Sequence, residues 1–118
     1  MKQNKTLKNL FPLDHSIKLY VPSTIETNKP ADNSKQVDKA IELFSSLFGG
    51  ATSYEAIGAW TDQAGELVKE KITIVQSFAT AEQVDANIME VVKHAQNLKN
   101  EMSQEAISLE YDGKLSFI

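Results

Sequence analysis

Arginine is missing from this 118-residue chain, and all twelve cationic side chains are lysines. Arginine supplies the planar fork that grips phosphate, carboxylate and guanine edges in bidentate fashion. Nucleic-acid binders show a basic stripe rich in such groups. Here the formal net charge is −4, and no basic cluster occurs beyond Lys2, Lys5 and Lys8. Direct DNA or RNA binding is not expected. Cysteine is missing too, which excludes a disulfide framework and any thiolate metal site. Long apolar runs are lacking, so no membrane span is expected. The N-terminus scatters Leu7, Leu10 and Phe11 among lysines instead of grouping them as a secretory signal would. These absences predict a soluble cytoplasmic protein.

What is present suffices for a core, since 42% of the residues are hydrophobic, and the length fits one domain. Residues 1–14 read as a flexible polar arm that carries Leu10, Phe11 and Leu13, and residues 15–118 as the domain. Ile17, Leu19 and Val21 alternate with Ser16, Lys18 and Tyr20, which predicts a half-buried strand ended by Pro22. Residues 23–33 read as a polar loop. Asn33 or Ser34 can cap a helix whose apolar face is Val37, Ala40, Ile41, Phe44, Leu47 and Phe48. Gly49 supplies the left-handed residue that ends it.

A strand over 51–61 follows, then the turn Asp62-Gln-Ala-Gly65 and an antiparallel strand over 67–78. In that second strand, Ile72 and Ile74 are expected to face the core and Thr73, Val75 and Ser77 the other side. Thr80 and Gln83 form a capping box. It opens a long helix with Val84, Ile88, Val91, Val92, Ala95, Leu98 and Met102 on one stripe. Residues 106–111 return to alternation. Asp112-Gly113 is a type I′ hairpin signal, and 114–118 is its second strand. The order predicts an α+β, ferredoxin-like (βαββαβ) antiparallel sheet, with both helices on one face and a C-terminal β-hairpin extension.

No catalytic motif is present: neither Gly-x-Ser-x-Gly nor a phosphate-binding glycine loop. His94 has Glu90 at helical spacing, but one such pair is too little for a metal site, and none is expected. The pairs Glu66/Glu70 and Glu101/Glu105 read as surface charges. No cofactor is called for.

The sheet face away from the helices carries the candidate ligand- or partner-binding residues Tyr20, Tyr54, Trp60, Thr73, Val75 and Ser77. That face is poor in charge and rich in aromatics, so it is expected to be covered by a second subunit or a ligand.

The succession Ile17-Lys-Leu-Tyr-Val-Pro-Ser23, Phe48-Gly-Gly-Ala-Thr52, Gly58-Ala-Trp60 and Ile72-Thr-Ile-Val-Gln-Ser-Phe78 resembles a family of small phage, prophage and plasmid proteins of Gram-positive bacteria. The resemblance implies a mobile-element setting and assigns no activity or functional residue. With no catalytic constellation in view, the expectation is a homodimeric, non-catalytic binding protein. It would inhibit or sequester a host protein, such as a defence-system component, or a small-molecule ligand. The alternative is a small dimeric α+β-barrel enzyme acting on a metabolite, in which His15, Glu55 or Tyr20 would be desolvated in a pocket. A structural virion or conjugation component is a third possibility.

Overall fold

The computed structural model describes residues 5–8, 10, 12–26 and 29–118. The chain runs α1 (Lys5–Lys8), β1 (His15–Pro22), β2 (Thr24–Ile25), β3 (Lys29–Pro30), α2 (Ser34–Phe48), β4 (Thr52–Thr61), β5 (Leu67–Ala79), α3 (Ala81–Glu101), β6 (Ser108–Tyr111) and β7 (Lys114–Phe117). The expected arm thus includes one short helix, with Leu7, Leu10 and Leu13 exposed; residues 1–4, 9 and 11, Phe11 among them, lie outside the described residues. The expected loop over 23–33 contains a two-stranded ribbon, Thr24 opposite Pro30 and Ile25 opposite Lys29. Residues 27 and 28 at its tip lie outside the described residues.

Five strands form one antiparallel sheet in the order β4-β5-β1-β6-β7. Both long helices pack on one face of it. Their apolar stripes (Ala40, Phe44 and Phe48 from α2; Val84, Val91, Ala95 and Leu98 from α3) close over Ile17, Leu19, Val21, Val75, Ile107 and Leu109. Burying a side chain such as Phe44 contributes about 1.5–3 kcal/mol. Phe44 and Phe48 meet edge to face with centroids 5.7 Å apart, a favourable quadrupole geometry. Among the described residues no helix is long and apolar enough to cross a membrane.

Local chemistry explains the element ends. Thr80 accepts from the Gln83 N–H at 3.1 Å, and the Gln83 side chain accepts from the Thr80 N–H at 2.9 Å, the reciprocal capping box. Gly49 closes α2 at φ 89°. Asp112 and Gly113 both take positive φ, 50° and 82°, as the type I′ hairpin requires. Asp62 holds the β4–β5 turn by accepting from Ala64 and Glu66 N–H, each at 2.9 Å.

The cap of α2 departs from expectation. Asn33 occupies the N-cap but makes no side-chain cap bond. Its amide donates instead to the Pro22 carbonyl at 3.1 Å and to the Thr73 hydroxyl at 3.3 Å. The residue ties the start of α2 to the ends of β1 and β5, and Asp32 accepts the Ser34 N–H at 3.0 Å in its place.

The facing of β5 is reversed from expectation. Val75 pairs with Leu19, and Ser77 with Ile17, so both lie under the helices, fully buried or nearly so. Thr73 shares that side. Ile72 and Ile74 point to the open face, where Ile74 is buried between its cross-strand neighbours Tyr20 and Tyr54. The reason is steric. Val75, Ser77 and Ala79 are small, and their smallness admits α2 with its two phenylalanines. The one polar group among them is satisfied, since the Ser77 hydroxyl donates to the Gly50 carbonyl at 2.6 Å.

Candidate functional site

Strand β5 outruns its neighbour. Its register with β1 ends at the pair Pro22–Ile72, whereas its register with β4 continues to Thr61–Leu67. Residues 67–71 and their β4 partners therefore project as a two-stranded arm about 17 Å long, at roughly 3.3 Å per residue. A bare hairpin of this kind is marginal in water. Its apolar side chains are open: Ile57 is 63% exposed and Leu67 62%. Ile57 lies on the helix side of the sheet, but beyond the reach of the helices.

The arm and the sheet body enclose a set of adjoining hollows. One, of about 460 Å3, lies between Ser23, Thr24 and Pro30 on the body and Trp60, Val68, Lys69, Glu70 and Lys71 on the arm. A second, of about 370 Å3, adds Tyr20, Gly58, Ser108 and Phe117 to Trp60 and Glu70. A third, of about 600 Å3, reaches Gln104 and Ala106 and again includes Trp60 and Glu70. Trp60 and Glu70 are the shared wall of all three. They fall on the same side of the arm, because Gly58 is opposite Glu70 and Trp60 opposite Val68, and Gly58 places no side chain between them.

Glu70 has no side-chain hydrogen bond or ion pair among the described residues. Burial pushes its carboxyl pKa up. A half-buried carboxylate without a partner, lining the same hollows as a tryptophan, has the chemistry to receive a compact organic cation. Sequence reasoning set Glu70 aside as a surface charge paired with Glu66. The signal that could have found it is its register opposite the only glycine of β4, one step from Trp60.

The six predicted site residues divide. Tyr20 and Trp60 line one common hollow. Tyr54 and Thr73 border a separate one of about 420 Å3 near the start of α2, together with Glu55. Val75 and Ser77 are core residues and cannot meet a ligand on the open face. Tyr20 donates to Glu110 at 2.9 Å, and Lys18 stands 3.6 Å from the same carboxylate. Burial first, then the Glu110 contact, raises the Tyr20 phenol pKa. Hydrogen bonding to Tyr54 raises that of Lys18 despite the opposing effect of burial.

His15 stands elsewhere, at the β6–β7 turn. Its Nδ1 is 2.7 Å from Asp112 and 3.0 Å from the Tyr111 hydroxyl, and its ring stacks on Tyr111. His15, Glu55 and Tyr20 thus do not share a pocket. His94 is half-buried, not solvated, and desolvation depresses its imidazole pKa, with Glu101 opposing and Lys39 assisting. Among the described residues no group of three metal-ligating side chains is assembled.

No family model matches the chain, and no curated protein matches it. Solved structures do. A phage SAM lyase in complex with S-methyl-5′-thioadenosine aligns at a TM-score of 0.64 over 93% of this chain and 92% of that chain, with 16% identity. A phage SAM lyase in the apo state aligns at 0.62 over 88% and 87%, with 18% identity. The fold is shared with phage SAM lyases. CutA from Synechococcus elongatus aligns at 0.52 over 91% and 83%, with 14% identity. The likeness to the lyases overturns the expectation of a non-catalytic binding protein, because the two phage proteins that share this fold nearly end to end are lyases. The alternative, a small α+β enzyme, is the better-supported reading.

Proposed function

We propose that this chain is a small lyase acting on S-adenosylmethionine or a closely related sulfonium nucleoside, releasing the thioether nucleoside. The carrying observation is Glu70, an unpaired, half-buried carboxylate beside Trp60 in a fold shared with phage SAM lyases. A sulfonium is a fixed, weakly hydrated cation. Glu70 supplies the opposite charge and Trp60 the π face. Val68 and Trp60 offer the reacting bond an apolar wall.

In the reaction the bond from sulfur to the amino-acid γ-carbon breaks, and its electron pair stays on sulfur. As it breaks, the fragment's own carboxylate displaces the sulfur at the γ-carbon and closes a lactone, so no water is consumed and no proton needs an acceptor. Charge vanishes as the bond breaks, and an apolar wall favours that loss over the charged ground state. Glu70 serves binding, because the charge it attracts is larger in the ground state than in the transition state.

The test is incubation of the purified protein with S-adenosylmethionine, with S-methyl-5′-thioadenosine followed by liquid chromatography and mass spectrometry. Turnover is expected. The Glu70→Gln variant should raise KM by about tenfold, the worth of one charge contact of about 1.4 kcal/mol, with a smaller change in kcat. Absence of both turnover and binding would sink the reading.

The same reading includes three further proposals. The strand order supports a ferredoxin-like sheet with β7 as its extension. The phage source of the two lyases supports the mobile-element setting and a cytoplasmic place of action. The open sheet face, with Tyr54, Phe78, Leu115 and Phe117 exposed, supports a homo-oligomer. Sedimentation equilibrium at micromolar concentration should find a dimer or higher species that Phe117→Asp dissociates, whereas a wild-type monomer would remove this part of the reading.

A further inference from the structure

Main-chain groups of alternate residues in a strand point to opposite edges. Two bonds fix the sense in β5. The Asp62 N–H donates to the Glu66 carbonyl at 2.9 Å, so the even-numbered residues address β4. The Lys71 carbonyl accepts the Ser23 hydroxyl, so the odd-numbered residues address the β1 side. From Val21 upward that side is filled by β1. Beyond Pro22 it is not, because the chain leaves the sheet to form the β2–β3 ribbon. Lys69 therefore presents one N–H and one C=O, side by side, to the hollow of about 460 Å3 that borders Trp60 and Val68. Neither group has a main-chain partner among the described residues.

We propose that this bare edge at Lys69 is an adenine reader: the Lys69 N–H donates to adenine N1, and the adenine amino group donates to the Lys69 carbonyl. The inference rests on the S-adenosyl reading above and deepens it by assigning the base. A donor and an acceptor on one strand residue complement the acceptor and donor on adenine's N1/N6 edge. Trp60 and Val68, next to that edge, offer an apolar surface for the purine ring. With the sulfonium end held at Glu70, the base cannot turn over to present its edge in the opposite sense. A hypoxanthine would then set its O6 against the Lys69 carbonyl and its N1–H against the Lys69 N–H. Both contacts are repulsive and both main-chain groups stay unsatisfied. The device is invisible to side-chain motifs, because any residue type at position 69 other than proline carries it.

The experiment is calorimetric titration of the full chain with 5′-deoxy-5′-dimethylsulfonioadenosine and with its inosine counterpart, which keep the cation that Glu70 holds and lack the γ-carbon bond that would turn over. The adenine ligand is expected to bind at least about tenfold more tightly, the equivalent of about 1.4 kcal/mol. In Lys69→Pro the N–H is removed on the edge that faces away from β4, where proline is tolerated in a strand. That variant, checked for folding by circular dichroism, should lose most of the discrimination. Equal affinities in the wild-type chain would overturn the adenine reader and leave the lyase reading standing. Binding of neither ligand, together with no turnover of S-adenosylmethionine, would overturn both. If Lys69→Pro fails to fold, the wild-type comparison decides alone.

Discussion

The two halves of β5 have similar side chains and opposite circumstances. From Ile72 to Gln76 the strand lies between β4 and β1, from Ser77 to Ala79 it keeps β1, and Ile74, Val75, Ser77 and Ala79 are buried. From Leu67 to Lys71 it has β4 alone, and Leu67 is open to solvent. Composition does not make this difference, because both halves mix β-branched and polar residues. The presence of a second neighbour does. A strand with both edges paired has spent its main-chain hydrogen bonds on the fold. A strand with one edge bare retains donors and acceptors for a ligand, and it gives up local stability to do so.

The contrast can be broken most directly through stability. Phe44 packs from α2 against the paired half and is fully buried. Phe44→Ala should cost about 3–5 kcal/mol, through lost burial and the cavity left behind. Leu67→Ala, on the bare half, should change stability by no more than about 0.5 kcal/mol. Urea denaturation of both variants reads the two values. Comparable losses at the two sites would mean that the arm is buried in solution, and the contrast would then describe a chain without its partner copy and not the working protein.

Much of the fold was legible because the punctuation was chemical. Gly49, the Thr80/Gln83 box, Asp62 with Gly65, and Asp112-Gly113 each force one local geometry, and each stands where expected. The facing of β5 was not legible. Apolar residues occur at both parities in Ile72-Thr-Ile-Val-Gln-Ser-Phe78, so alternation has no sign until the register with β1 supplies one. The β2–β3 ribbon was missed because two residues per strand leave no period to read. The site was legible in part. Trp60 and Tyr20 were singled out by an under-charged face, whereas Glu70 carried nothing in its own neighbourhood to separate it from Glu66. What separates them is where β1 ends. That depends on Pro22 and on Asn33, eleven residues away, reaching back to hold the Pro22 carbonyl.

The smallest effect is a pH dependence at Glu70, and it tests the bare half without any ligand. Burial raises the Glu70 carboxyl above its ordinary value in the folded chain, so the native state holds this proton more tightly than the unfolded state does. The sign follows from proton linkage: stability falls as pH rises through the window from the unfolded pKa to the raised folded one. Below that window Glu70 is protonated in both states and contributes no difference; above it the ionised carboxylate is a small, constant burden. Glu70→Gln removes the burden. The variant should be slightly more stable than the wild type at neutral pH, and the gap should close as the solution is acidified through the carboxylate range. Thermal melts of the two proteins at matched pH read the gap. A variant that is instead less stable at neutral pH would mean that Glu70 makes a favourable contact in solution, and the carboxylate would no longer be free for a cation. The same ionisation governs ligand binding with the opposite slope, since affinity for S-adenosylmethionine rises with pH as Glu70 loses its proton. Stability and affinity moving in opposite directions over one pH window is the behaviour of a group held for function at the expense of the fold.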